Sequence, residues 1–133
     1  MSQAGVDTLR RFYELWNSGD VDALTELFDV DAEVRPALSA FLASTVYRGR
    51  HGIAAWHAET NEPWADLCVE PERFLDTGER VLGVVRLVAR SPGAQVDVET
   101  QIAHIATVRD GLIVRLDGYE EPSSALAALG REE

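Results

Sequence analysis

Apolar residues recur at helical spacing early in the chain and at alternating positions in its second half. Val6, Leu9, Phe12, Tyr13 and Trp16 fall three or four residues apart and predict a first helix from about Gln3 to Asn17 with one apolar stripe. Asn17-Ser18-Gly19 supplies a stop, with Gly where a left-handed cap is wanted, and Asp20 is placed to cap a short second helix. Leu24, Leu27 and Phe28 share one face of that second helix. Ala32 to Leu38 reads as a first strand, which Pro36 restricts to an edge or a bulge. Ser39 to Thr45 is a loop carrying Phe41 and Leu42, which either cover a pocket mouth or pack beneath the loop. Gly49 to Glu62 predicts a third helix, with Ile53, Trp56, His57 and Thr60 on one face and Pro63 ending it.

The remainder reads as a meander. Leu67 to Leu75 is a strand interrupted at Pro71, and Asp76-Thr77-Gly78-Glu79 is a turn. Arg80 to Arg90 is a strand, Ser91-Pro92-Gly93 a turn, and Gln95 to Arg109 a long strand. Asp110-Gly111 is a two-residue hairpin signal before the last strand, Leu112 to Tyr119. Pro122 starts a short helix ending at Gly130. The expected class is α+β, with the order α-α-β-α-β-β-β-β and helices over one face of an antiparallel sheet, in a single domain over residues 1–133.

The long strand separates the two sheet faces. Val96, Val98, Thr100, Ile102, His104, Ala106 and Val108 alternate onto one side, which should face the helices. The opposite side begins polar and turns apolar at Ala103 and Ile105, an end suited to a dimer contact. His104 is therefore a lone imidazole in an apolar wall. The plainer reading is a buried neutral histidine satisfied by one hydrogen bond. The functional reading is a proton donor or acceptor in a pocket, for which imidazole is suited because its charge responds to its surroundings.

Composition narrows the partners. A net charge of −11 repels phosphate backbones and anionic lipid surfaces, so neither nucleic acid nor membrane is expected. All basic residues are arginine, which removes lysine Schiff-base chemistry and a P-loop lysine. Cys68 is the single cysteine, so no intrachain disulfide forms, and its apolar strand setting points to packing rather than nucleophilic chemistry. The N-terminus shows no signal-peptide pattern, and the expected location is the cytoplasm. His51 and His57 lie at the wrong spacing for two ligands on one helical face, and no metal site is expected.

Three segments carry a resemblance. Arg11-Phe12-Tyr13-Glu14-Leu15-Trp16-Asn17-Ser18-Gly19-Asp20, then Tyr47-Arg48-Gly49-Arg50-His51-Gly52-Ile53, then Val108-Arg109-Asp110-Gly111-Leu112-Ile113 through Tyr119 resemble the SnoaL-like branch of the nuclear transport factor 2-like superfamily. The resemblance spans nearly the whole chain. It implies a cone-shaped, highly curved sheet with three helices around a pocket, often as a homodimer. Its members include polyketide cyclases, a steroid isomerase, an epoxide hydrolase, dehydratases and binding proteins, so the fold does not select the activity. In the steroid-isomerase pattern, Phe12 stands at the oxyanion-donor tyrosine, the general-base aspartate falls near Pro36, and the second donor falls on His104. In the epoxide-hydrolase pattern, Val85, Leu87 and Gly118 stand where Arg and Asp residues are needed, so that mechanism is not expected.

The resulting expectation is a pocket for a small hydrophobic molecule. His104 and His57 are the candidate catalytic residues. Phe12, Trp16, Val34, Leu38, Trp56, Val85, Leu87, Thr100, Ile102, Leu116 and Glu120 are the candidate ligand contacts, and Tyr13 is a further polar contact. For the aromatic stripe the plainer reading is core packing, since a small domain needs such residues for its core. Three functions stand open: a cofactor-independent isomerase- or cyclase-type enzyme on a ring- or carbonyl-containing substrate, a non-catalytic binding protein, and a dimeric interaction domain with a filled pocket.

Overall fold

In the computed structural model, the residues described are 3–38, 42, 44–93 and 97–131. Four helices, α1 (Gln3–Ser18), α2 (Val21–Glu26), α3 (Gly49–Asn61) and α4 (Pro122–Arg131), accompany six strands. These are β1 (Phe28–Arg35), β2 (Tyr47–Arg48), β3 (Asp66–Asp76), β4 (Arg80–Arg90), β5 (Asp97–Arg109) and β6 (Leu112–Tyr119). They form one curved, unclosed sheet in the order β2-β1-β6-β5-β4-β3, the cone expected for the α+β class.

Local chemistry sets the boundaries that matter for the site. Gly19, at φ +77°, ends α1, and its N–H reaches the Leu15 carbonyl at 3.1 Å. The Asp20 carboxylate then accepts from the Ala23 N–H at 3.2 Å and starts α2. Asp110 and Gly111 both take positive φ, 54° and 79°, the pairing that matches a two-residue turn to the twist of β5 and β6. The register of β3 against β4 shifts between Pro71 and Arg73, where proline cannot donate to the ladder.

The structure corrects several expectations. The first strand runs from Phe28 to Arg35 rather than Ala32 to Leu38. Leu27 caps α2, and Phe28 leaves the helix to pair with Ile113, so the helical spacing of Leu24, Leu27 and Phe28 outruns the helix itself. The sheet is not wholly antiparallel, because β1 pairs in parallel with β6. The two-residue strand β2, pairing with Glu33 and Val34, stands between β1 and α3 and was not anticipated. Helices also cover both faces of the sheet. The apolar patch of Ala103 and Ile105, expected as a dimer contact, packs with Leu82 and Val84 beneath Ala125 and Leu129 of α4. The expectations for Phe41, Gln95 and Val96 lie outside the described residues. No helix among those described is long and apolar enough to cross a membrane.

The larger core lies in the hollow of the sheet, where α1 and α3 pack. Leu9, Phe12, Tyr13, Trp16, Phe28, Ile53, Trp56, Val85 and Leu116 are among its buried members. The edge strand β3 is tied to α1 by one side chain. The Asn17 amide donates to the Val69 carbonyl at 2.8 Å and accepts from the Val69 N–H at 2.9 Å, imitating a neighbouring strand.

Candidate functional site

His104 occupies the centre of β5 with glycine on both neighbouring strands. Gly83 of β4 and Gly118 of β6 stand directly opposite it in register. The missing side chains leave room for two close approaches. A Cβ on Gly83 would lie 2.8 Å from the Tyr13 hydroxyl oxygen, and a Cβ on Gly118 would collide with the Ala37 backbone. Tyr13 of α1 and the Pro36–Ala37 segment after β1 therefore reach the inner face of the sheet beside the imidazole.

Tyr13 Oη and His104 Nδ1 are 2.9 Å apart, and the two residues are 1% and 5% exposed. The phenol has no other hydrogen-bond partner among the described residues, so its O–H donates to Nδ1. That direction places the imidazole proton on Nε2. Burial disfavours charge on both groups. It pushes the His104 pKa down to about 4 and the Tyr13 phenol well above its ordinary range. The pair is thus neutral at physiological pH, with one N–H left to donate.

Beside this pair is an inner chamber of about 50 Å³, lined by residues of α1, α3 and the sheet together with Pro36, Ala37 and Leu38. None of its lining residues carries a carboxylate or a guanidinium. Leu38 and Ile102 also line an open outer depression of about 570 Å³. Thr100, Gln101, Glu120, Glu121 and Ser123 supply polar groups there. An apolar interior thus adjoins a polar, acidic exterior.

The candidate residues from the sequence divide between these places. Phe12, Trp16, Leu38, Trp56, Leu87, Ile102 and His104 line the chamber. Thr100 and Glu120 are exposed and line the outer depression instead. Val34, Val85 and Leu116 are fully buried core residues and are absent from the chamber wall, because inward parity places a side chain in the packed interior before it places it at a cavity. His57 does not line the chamber. Its Nε2–H donates to the Trp16 carbonyl at 3.2 Å, and its ring packs edge-on against the Trp16 indole. His51 is exposed.

Tyr13, Thr60, Val69, Pro36 and Ala37 complete the lining. The Tyr13 contact joins residues far apart in the chain, and no local spacing announces it. Cys68 is half-buried with its thiol pKa raised, first by burial and then by Glu70 and Asp66, which disfavours a nucleophilic thiolate. Among the described residues no group of three His, Cys, Asp or Glu side chains is placed to hold a metal ion.

A family model described as a SnoaL-like domain matches residues 9–116. No curated protein matches the chain. Among solved structures, Bal32a from a soil-derived mobile gene cassette superposes with a TM-score of 0.78 at 22% identity, covering 93% of this chain and 94% of that one. TerC, co-crystallised with polyporic acid, superposes at 0.78 and 17% identity, covering 96% and 98%. A protein of ketosteroid isomerase-like fold from Catenulispora acidiphila, in complex with trimethylamine, superposes at 0.75 and 21% identity, covering 90% and 89%. At these identities the superpositions establish the shared fold.

Proposed function

The chain belongs to the SnoaL-like branch of the nuclear transport factor 2-like superfamily, and on that footing we propose that it holds a small, uncharged, carbonyl-bearing molecule by its head, with His104 Nε2–H donating to the carbonyl oxygen. The observation that carries this reading is the buried Tyr13–His104 pair at the chamber wall. A neutral imidazole whose other nitrogen is occupied by a phenol is a fixed donor. It serves an oxygen acceptor better than a cation.

Size and charge restrict the ligand further. Sites for drug-sized molecules run to roughly 300–1,000 Å³, and the chamber is about 50 Å³. Only a head of a few heavy atoms fits past Leu38 and Ile102, and the body of a larger molecule lies in the outer depression near Thr100 and Glu120. An anionic head meets no cation among the lining residues and would lose its hydration uncompensated.

A donor fixed at a carbonyl oxygen stabilises the negative charge that develops there on enolisation, the step shared by isomerase- and cyclase-type reactions. His104 itself is a poor base, since burial lowers its proton affinity. Proton abstraction therefore needs another group, and Glu120, which follows β6 directly, is a carboxylate lining the outer depression. Retention of the ligand without turnover is the second reading, favoured by the lack of any carboxylate on the chamber wall.

Two measurements test and separate these readings. Titration with small cyclic ketones, followed through the His104 ring resonances, should show saturable binding. The double variant Tyr13→Phe, His104→Phe, which leaves no phenol unpaired, should bind at least about tenfold more weakly, the value of one hydrogen bond. Equal affinity would reject His104 as the donor. Exchange of the ketone α-protons in D2O, accelerated by the wild type and not by Glu120→Gln, supports the enzymatic form. Binding without accelerated exchange supports the second.

A further inference from the structure

The sheet face on which α4 packs carries arginine where the rest of the chain carries acid. A groove of about 580 Å³ on that face, bordered by Ala128 of α4, is lined by Arg35, Arg80, Arg109 and Arg115, with Glu79 and Asp117 as its carboxylates. Acids outnumber arginines 23 to 12 over the whole chain, and here the balance reverses. No residue of this lining borders the chamber or the outer depression. Strand register assembles the groove. Arg80 and Arg115 are the partners of Thr107 on either side of β5, which sets their Cα atoms roughly 10 Å apart, two strand spacings. Arg109 stands two residues beyond Thr107 on β5 and lines the same groove.

The arginines are held in place without being saturated. Arg109 Nε–H donates to Glu79 at 2.8 Å, and Arg115 Nε–H donates to Asp117 at 2.9 Å. Each carboxylate is its arginine's one ion-pair partner among the described residues. A guanidinium has five N–H donors and a forked carboxylate pair takes two, so at least three stay open on each. Glu33, opposite Arg115 on β1, is itself shared by Arg35 and Arg48. Arg86, at the other end of the same face, shows the contrast, because Glu70, Glu72 and Glu99 all pair with it. We propose that the arginine groove is a second binding site, separate from the chamber, for a small multiply charged oxyanion of the diphosphate class. Arginine takes such oxygens in pairs, and the two carboxylates fix its planar forks before the anion arrives. A single negative charge gains little beside those carboxylates, whereas a multiply charged anion reaches more than one guanidinium. The chain's net charge of −11 opposes anions at long range but is screened beyond about 8 Å at physiological ionic strength, so the donors in contact decide. The proposal stands apart from the chamber reading.

The test titrates sodium pyrophosphate into ¹⁵N-labelled wild-type protein in metal-free buffer, with sodium acetate at matched ionic strength as the comparison. The arginine Nε–Hε correlations report the groove, and the His104 ring resonances report the chamber. Pyrophosphate should shift Arg109 and Arg115 saturably and leave His104 in place, while acetate should give no saturation. Arg115→Gln should weaken pyrophosphate binding at least about tenfold, the loss of one hydrogen bond to a charged group. Arg86→Gln removes the same charge from the same sheet face outside the groove and should bind as the wild type does. Both side chains are exposed, and the saturation itself is read on the wild type, so the test survives a variant that fails to fold. Equal responses to pyrophosphate and acetate would overturn the proposal, as would saturable shifts at His104 without shifts at the groove arginines. Undiminished binding by Arg115→Gln, or an equal loss in Arg86→Gln, would overturn it too, by showing that no local site holds the anion.

Discussion

Gly83 stands opposite His104 across the β4–β5 ladder, and the space its missing side chain leaves is occupied by the Tyr13 hydroxyl. The imidazole, the phenol and the glycine form one unit on the inner face of the sheet. A methyl group on Gly83 would press on Tyr13 at 2.8 Å and on Leu9 at 2.9 Å, and both residues are buried on all sides. Gly83→Ala should therefore cost roughly 1–3 kcal/mol of stability by overpacking and lengthen the Tyr13–His104 hydrogen bond. Urea denaturation measures the first effect, and the His104 ring ¹⁵N shifts measure the second.

Removing the phenol hydroxyl alone leaves a buried acceptor without a donor. Tyr13→Phe should destabilise the protein by about 1–3 kcal/mol, the cost of an unsatisfied buried polar group. Adding His104→Leu removes that acceptor, so the double variant should be destabilised by less than the sum of the two single changes. Strict additivity in a denaturation cycle would mean that the two side chains are not coupled.

Acid should weaken the fold through His104. Its pKa is about 4 in the folded protein against an ordinary 6.5. Between those values the unfolded chain binds the proton and the folded chain does not, so stability falls as pH drops from above 6.5 toward 4. The full effect is on the order of 3 kcal/mol, reached near the lower value. Carboxylates titrate over part of the same range, so the contribution is isolated by comparison with His104→Leu. Its stability should fall less steeply between pH 6.5 and 4.5. Parallel curves for the two proteins would show that His104 is not held neutral.

Asn17 secures the outer edge of the chamber. Its side chain supplies two hydrogen bonds to Val69, a wall residue on the edge strand β3. Asn17→Ala should cost about 1–2 kcal/mol and speed hydrogen exchange of the Val69 amide, while the amides of central strand β5 stay protected. Unchanged exchange at Val69 would remove Asn17 from the account of the wall.

Elements with strong local signals were legible in the sequence. The stripe on α1, the Gly19 stop, both ends of β4, and the Asp110-Gly111 turn before β6 all follow from neighbouring residues. What was lost depends on contacts distant in sequence. The parallel pairing of Phe28 with Ile113 joins chain segments that no hairpin connects, and β2 is too short to show an alternating pattern. The apolar end at Ala103 and Ile105 was visible as a surface needing cover, but its occupant, α4, was not. The site shows the same division. Parity placed His104 on the inner face correctly, and it placed Val34, Val85 and Leu116 there too, although they pack solidly and leave the chamber to others. Tyr13 stood on the same stripe as Phe12 and Trp16, with nothing local to show that its hydroxyl would meet an imidazole on β5.

The central claim is that His104 is a neutral imidazole carrying its proton on Nε2, with Tyr13 donating to Nδ1. Long-range ¹H–¹⁵N correlation spectra of the histidine rings at pH 7 measure this directly. The account predicts a His104 Nδ1 shift typical of a hydrogen-bonded, unprotonated nitrogen and an Nε2 shift typical of N–H, both unchanged until the pH falls below about 5, the range in which a pKa near 4 begins to titrate. A protonated ring at pH 7, or a proton on Nδ1, would contradict it.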